Sequence, residues 1–233
     1  RFKFFIRTLP FLLYSLVMLA VTGLWYGLET LFNGPEFVME FTQRQWALLT
    51  TPDAGHGGFP GYHFVVLLLG CFPASLFAIQ TLFSKIKDEG VQKDMRIWMT
   101  ILLLVVLILF TLVKSKIIHY SSLAYFPLTY LAAISLERLS NSSWSMNRFF
   151  KISIGLIGGI YMFASGALVW LGQNPENLRE LSSNDPFAYA NFFADVNWPL
   201  EAWIPAIIAL LLIISFQWMY SKQKVRALNV LFI

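Results

Sequence analysis

The fold of this chain is decided by the stretch IWMTILLLVVLILFTLV (residues 97–113) and by the polar run KSKIIHY (residues 114–120) that follows it. The first stretch has no charged residue, and its length approaches the roughly 20 residues that an α-helix needs to cross the hydrocarbon core of a bilayer. The second stretch places Lys114, Lys116 and His119 directly after it. We therefore predict a membrane-spanning helix followed by a cationic segment at the membrane surface.

The composition of the whole chain also indicates a membrane protein. Of its 233 residues, 57% are hydrophobic and 13% are charged, which is about half the charged fraction of a typical soluble domain. The net charge of +4 does not indicate a nucleic-acid partner, because the basic residues are scattered among the segments that flank apolar stretches. We expect membrane lipid as the surrounding partner. Cys71 is the single cysteine, so no internal disulfide can form.

Six membrane spans can be placed along the chain. They cover about residues 8–28, 62–83, 97–113, 122–137, 150–172 and 199–220. The connecting segments on one side then hold thirteen of the 17 basic residues, and those on the other side hold Arg44, Lys114, Lys116 and Arg179. The positive-inside rule makes the first side cytoplasmic. The sequence thus predicts an all-α, polytopic transmembrane helical bundle, a single domain over residues 1–233, whose start is cytoplasmic.

The two long outer segments carry signs of regular structure. Gly34-Pro35 marks a helix start, after which Phe37, Phe41 and Leu48 share one face, as in a helix that lies on the membrane. The segment 173–198 has two further proline-marked helix starts. We therefore expect structured outer loops.

Glycines and prolines inside the predicted spans indicate how the helices are shaped and packed. Gly155 and Gly159 form a small-xxx-small pair, which predicts a close helix contact. Pro73 and Pro205 are expected to kink their helices, which membrane helices tolerate.

The cationic segment is the first candidate site. If the helix before it continues for another turn or two, Lys116 and Tyr120 share a face at i,i+4 spacing. A lysine ammonium and a tyrosine hydroxyl both suit a phosphate group. Lysines near a helix end also snorkel to lipid headgroups without any specific ligand. Both interpretations are open from the residues alone.

The glycine-rich loop TPDAGHGGFPG (residues 51–61) is the second candidate site. Its glycines either form turns or allow close approach of the backbone to a substrate. No tight histidine spacing predicts a metal site. Asp53 is a weak candidate for a catalytic acid or base, and no recognisable catalytic centre accompanies it. The possible substrate-contacting residues are His56, Gly57, Gly58 and His119.

Three stretches carry a family resemblance. They are GPEF (residues 34–37) leading into Phe41, DAGHGG (residues 53–58) continuing to Tyr62, and the stretch from Lys116 to Pro127. In order and spacing they resemble the aminoarabinose transferase and protein O-mannosyltransferase type of membrane glycosyltransferase, which has the GT-C fold. The third stretch is the most specific one. It resembles the family pattern Lys-x-Pro-x-Tyr-x-Leu-Pro-x-aromatic-x-Pro through Lys116, Tyr120, Tyr125 and Pro127, with Ile118 and Leu123 in place of the first two prolines.

The resemblance implies an enzyme that moves a sugar from a polyprenyl-phosphate carrier to a lipid or protein acceptor on the outer face of a membrane, here expected to be a bacterial inner (plasma) membrane. It implies that Lys116 and Tyr120 lie near the carrier phosphate, with Lys114 added by proximity. It also implies a phosphate-binding role for Arg44, in place of an arginine that relatives carry late in the outer surface helix. No cofactor or metal is expected.

The resemblance also places the catalytic base upstream of Arg1. We therefore expect this chain to be an internal fragment that is inactive alone. A fragment of a transporter or lipid flippase is the alternative, and it would favour broken helices and polar residues at mid-membrane depth. A non-catalytic membrane scaffold is a third interpretation.

Overall fold

The computed structural model describes residues 7–52 and 57–232, and all regular structure in these ranges is helical. The all-α prediction is thus confirmed for the described residues. The α-helices are α1 (Thr8–Asn33), α2 (Glu36–Thr50), α3 (Tyr62–Gly70), α4 (Ala74–Phe83), α5 (Gly90–Leu112), α6 (Tyr125–Ser140), α7 (Arg148–Gln173), α8 (Arg179–Ser182), α9 (Pro186–Phe192), α10 (Ile204–Tyr220) and α11 (Lys224–Val230). Short 3₁₀ segments lie at Ile118–Ala124, Pro175–Leu178 and Leu200–Trp203.

Four helical segments are long and apolar enough to cross a membrane. They are α1, α5, α7 and the segment Leu200–Tyr220, which joins a 3₁₀ turn to α10. Helix α5 has 23 residues, which at 1.5 Å per residue span about 34 Å, slightly more than the roughly 30 Å hydrocarbon core. The four correspond to the predicted spans 8–28, 97–113, 150–172 and 199–220.

The other two predicted spans are not continuous membrane-length helices. The span 62–83 is divided into α3 and α4 by residues 71–73, because Pro73 lacks a backbone N–H and disfavours helical backbone at the preceding residue. Only as one broken span could the pair cross a membrane. Helix α6 covers most of the span 122–137, but its 16 residues are fewer than the roughly 20 required. The described residues thus contain four membrane-length segments, or five with the broken pair, instead of six.

The described residues form two compact units. The first contains residues 7–52, 57–71 and 84–131, and the second contains residues 72–83 and 132–232. A single domain over the whole chain stays a prediction.

In the first unit, α3, α5 and the 3₁₀ segment 118–124 pack together. Their buried apolar side chains are Leu67, Leu103, Val106, Leu107 and Ala124. Helix α1 buries none of its side chains and contacts α2 through Tyr26 and Phe41, whose ring centroids are 6.0 Å apart. Phe37 stacks on Phe41 at 6.3 Å, so these two residues share a face of α2, as predicted.

In the second unit, α7 and α10 form the main helix pair. Gly158 makes the close contact, because a Cβ added there would lie 2.7 Å from the Ile213 side chain. Gly155 also faces α10, at Gln217, whereas a Cβ on Gly159 would meet no atom of the described residues within 4 Å. The packing pair is therefore Gly155 and Gly158, and the predicted partner Gly159 was wrong by one residue.

The segment between α7 and α10 is structured, as the sequence predicts. Pro186 begins α9, and the carboxylate of Asp185 caps this helix by accepting hydrogen bonds from the backbone N–H groups of Phe187 and Ala188, each at 3.0 Å. Pro175 begins a 3₁₀ segment instead of an α-helix. Both proline-marked starts are thus real helix starts.

Candidate functional site

The segment after α5 ties together the ends of two helices. The backbone N–H groups of Lys114 and Ser115 donate to the carbonyl oxygens of Leu49 and Leu48, at 3.1 and 3.2 Å, and the Ser115 hydroxyl donates to the carbonyl of Thr51 at 2.9 Å. These acceptors lie at or just after the C-terminus of α2, where a helix leaves its last carbonyl groups without internal partners. Residues 114 and 115 therefore cap α2.

Lys116 caps the other helix, α5. Its ammonium donates to the backbone carbonyls of Phe110, Thr111 and Val113, at 2.8, 3.0 and 2.6 Å. An ammonium has three N–H donors, so all three are used by the end of α5. A cation at a helix C-terminus is also favoured by the helix dipole. Lys116 is only 5% exposed and is therefore a buried capping residue in this structure.

The surroundings of Lys116 act on its charge in opposite directions. Burial, and next the positive charge of Lys114, lower the pKa of Lys116 below the usual lysine value. The three carbonyl acceptors oppose this effect because they stabilise the charged form. A further negative group beside the charged form would be electrostatically favourable.

Lys116 and Tyr120 come together, but not in the predicted way. Helix α5 ends at Leu112, and Tyr120 belongs to a 3₁₀ segment, so the two residues do not share an α-helical face. Both instead contact Phe110: Lys116 bonds its carbonyl, and the Tyr120 ring lies 5.3 Å from its ring. The i,i+4 geometry was wrong because the 114–115 backbone bonds to α2 instead of continuing α5.

Aromatic rings connect the glycine-rich loop to the segment after α5. Successive ring centroids are 5.1 to 6.3 Å apart. The rings belong, in order of contact, to Phe59, Tyr62, His63, Phe110, Tyr120 and His119. The aromatic series therefore brings His119, a predicted site residue, to the same place as Tyr120.

Gly58 brings the loop backbone against Lys116. A Cβ added at Gly58 would lie 3.0 Å from Cγ of Lys116 and 3.4 Å from Cδ2 of Tyr62. Such a contact would be tighter than normal side-chain packing. The loop backbone can therefore lie this close to Lys116 because Gly58 has no side chain. The close approach at Gly58 is to Lys116, and approach of the loop backbone to a substrate stays a prediction.

His63 was not predicted as a site residue, yet it lies at the centre of this cluster. Its side chain is 0% exposed, and neither ring nitrogen has a hydrogen-bond partner among the described residues. The charge of Lys116 acts on it electrostatically. The sequence offered a weak signal, an ionisable residue at the start of an apolar stretch, which in a membrane segment is a functional hypothesis by itself.

The remaining predicted site residues lie at the edge of the cluster or outside the described residues. Lys114, Arg44 and Gly57 are exposed, and only Lys114 adjoins Lys116 in the chain. Asp53 and His56 lie outside the described residues. Within residues 7–52 and 57–232, no group of three or more His, Cys, Asp or Glu side chains could hold a metal ion. The roles of these residues stay predictions.

Two grooves elsewhere in the described residues are mainly apolar. One, of about 640 Å³, runs along α2 from Val38 to Thr51 beside Trp46. The other, of about 540 Å³, lies between α7 and the segment around Trp203, and apolar residues and a glycine line it. Neither groove brings ionisable groups together, so the cluster around Lys116 is the stronger candidate for chemistry.

Searches with this chain found no matching family model, no matching curated protein and no matching solved structure. The residues around Lys116 are therefore the basis for assigning a function.

Proposed function

We propose that this chain is part of a membrane glycosyltransferase that takes a sugar from a polyprenyl-phosphate carrier and passes it to a lipid or protein acceptor on the outer face of the membrane. One observation carries the proposal: the cationic residue of the motif-like stretch 116–127, Lys116, lies with Tyr120 and Gly58 at the end of an apolar, membrane-length helix. A phosphate on a membrane lipid would meet this place at the bilayer surface.

The chemistry of the cluster supports a phosphate ligand. Lys116 and Lys114 supply two positive charges, and a tyrosine hydroxyl adds a neutral donor. Because the three donors of Lys116 are bound to carbonyls, a phosphate oxygen has to replace at least one of them. Lys114 is exposed and can approach the phosphate without breaking such a bond.

The distribution of basic residues supports the orientation. Thirteen of the 17 basic residues flank the spans on one side, which the positive-inside rule assigns to the cytoplasm. Lys114 and Lys116 then lie on the outer side, where a lipid-linked sugar would be used. We place the protein in a bacterial inner membrane on the strength of the family resemblance.

Binding of a polyprenyl phosphate to the purified chain in lipid nanodiscs tests the proposal. Lys114→Gln and Tyr120→Phe remove phosphate donors without removing the Lys116 cap, and each should weaken binding several-fold. Lys222→Gln is the matched control, because Lys222 is an exposed lysine of the second unit. Unchanged affinity in both site variants would contradict the phosphate site. Sugar transfer then needs to be measured with a sugar-loaded carrier and the complete protein.

A transporter or lipid flippase is the second candidate, and a specific observation favours it. The α3–α4 pair has the length and composition of one broken span, and α4 buries three polar side chains, Ser75, Gln80 and Thr81. Discontinuous helices and polar residues inside the membrane are typical of transport sites. Proteoliposomes distinguish the candidates: a flippase moves the unaltered carrier between leaflets, whereas a transferase yields a glycosylated acceptor.

A further inference from the structure

His63 is a buried ionisable side chain without a hydrogen-bond partner among the described residues. It is 0% exposed, and both of its ring nitrogens lack a partner. Its closest ring neighbours are Tyr62 and Phe110, with centroids 5.1 and 5.7 Å away. Buried polar groups in native proteins are nearly always hydrogen-bonded, and the exceptions mark a strained or functional site. A phenylalanine would fill the same ring contacts without this cost.

The neighbouring charge indicates what kind of group would satisfy His63. Both residues contact Phe110: the His63 ring lies 5.7 Å from the Phe110 ring, and the Lys116 ammonium donates to the Phe110 carbonyl. An imidazole has at least one N–H donor in either protonation state, and an ammonium is only a donor. A group that both could bind must be an acceptor, and a negative charge on it would be balanced by Lys116.

We propose that His63 and Lys116 together bind a phosphate group, with the imidazole N–H and the ammonium each donating to a phosphate oxygen. This inference rests on the proposed function, which places a carrier phosphate at Lys116, and adds a binding residue that no motif in the chain assigns. A lipid-linked phosphate and free phosphate share this chemistry.

The site is closed in the structure. Lys116 covers it with its ammonium held by three carbonyls of α5. Gly58 is exposed, and a Cβ added to it would lie 3.0 Å from Cγ of Lys116, so a residue without a side chain covers the stem of the lysine. Release of one carbonyl by the ammonium lets a phosphate oxygen take its place and reach His63.

His63→Phe separates this role from a structural one. The variant keeps the ring contacts and removes two unpaired nitrogens, so its thermal stability should equal or exceed that of the wild type. Its affinity for phosphate should fall roughly tenfold to a hundredfold, the effect of losing one hydrogen bond to a charged group. His63→Gln places an amide near the position of Nε2 and should recover part of the affinity. Ser135→Ala, which removes a buried hydrogen bond to Gln80 in the second unit, is the control: it should lower thermal stability and leave the phosphate affinity unchanged.

The experiment measures binding of a short-chain polyprenyl phosphate and of inorganic phosphate to the chain in nanodiscs, together with thermal unfolding of each variant. If inorganic phosphate competes and its binding also depends on His63, the phosphate group alone is recognised; if only the lipid binds, the site takes the lipid-linked form. Either result supports the inference. Equal affinities of wild type, His63→Phe and His63→Gln for the lipid would overturn it. Binding that depends on His63 in a complete protein that transfers no sugar would refute the proposed function and leave this inference standing.

Discussion

Replacing Lys116 by methionine tests the capping geometry directly. Methionine has a similar length and no donor, so the carbonyl oxygens of Phe110, Thr111 and Val113 lose their shared partner. A buried polar group left without a partner costs about 1–3 kcal/mol. The burial cost of the ammonium disappears in the same variant, so we take the lower end of this range, about 1 kcal/mol for each carbonyl. The free energy of unfolding should then fall by about 3 kcal/mol.

Thermal unfolding of the purified protein in one detergent measures this loss. For a protein of this size, 1 kcal/mol shifts the unfolding midpoint by about 2–4 °C, so Lys116→Met should unfold about 6–12 °C below the wild type. Lys114→Met is the matched control: its side chain is exposed, and its effect should stay within about 0.5 kcal/mol. Equal midpoints for the two variants would refute the argument that the ammonium stabilises the end of α5.

Further predictions concern pH, helix packing and topology. The lowered pKa of Lys116 means that, between this pKa and the usual lysine value near 10.4, the folded protein binds fewer protons than the unfolded chain. Stability therefore rises with pH in this window, and the wild type should gain relative to Lys116→Met as the pH is raised toward about 10; a constant difference would contradict this. Gly158→Ala should destabilise the protein by about 1–3 kcal/mol in chemical unfolding, because its Cβ would overlap a side chain of α10, whereas Gly159→Ala should be neutral or stabilising. Cysteines at the exposed positions Ser183 and Ser221, in a cysteine-free background, should react oppositely with an impermeant thiol reagent; labelling of position 221 from outside would reverse the proposed topology.

Hydrophobicity predicted the long helices well because their apolar runs are nearly uninterrupted. The expectations for proline and glycine were less accurate, since their effect depends on where the helix begins and what it contacts. Pro205 was expected to kink its helix, yet it lies in the first turn of α10, where a missing N–H has no consequence. Pro73, by contrast, separates two helices. Gly158, and not the predicted Gly159, makes the contact. The face that α7 turns toward α10 depends on tertiary packing, which the spacing of glycines does not show.

The candidate site could be predicted in part. The sequence singled out Lys116, Tyr120 and Gly58, and the structure brings them together around Phe110 and the Lys116 stem. The sequence could not predict that Lys116 bonds to the carbonyls of α5, because every residue has a backbone carbonyl and residue types do not show which of them will accept. His63 was not predicted as a site residue for a related reason: its burial and its unpaired nitrogens depend on packing against Phe110 of α5, which lies more than forty positions later in the chain.

The capping role of Lys116 changes how mutations of the site must be interpreted. A loss of carrier binding in Lys116→Ala, expected at roughly tenfold to a hundredfold for one charged hydrogen bond, could equally follow from a loosened end of α5. Lys114 and His63 do not carry this ambiguity, since neither side chain holds a helix end through a hydrogen bond in the described residues. A phosphate that binds here has to compete with the carbonyls for the same ammonium. Binding and the order of the last turn of α5 are therefore coupled, and variants at Lys114 and His63 can separate the two effects.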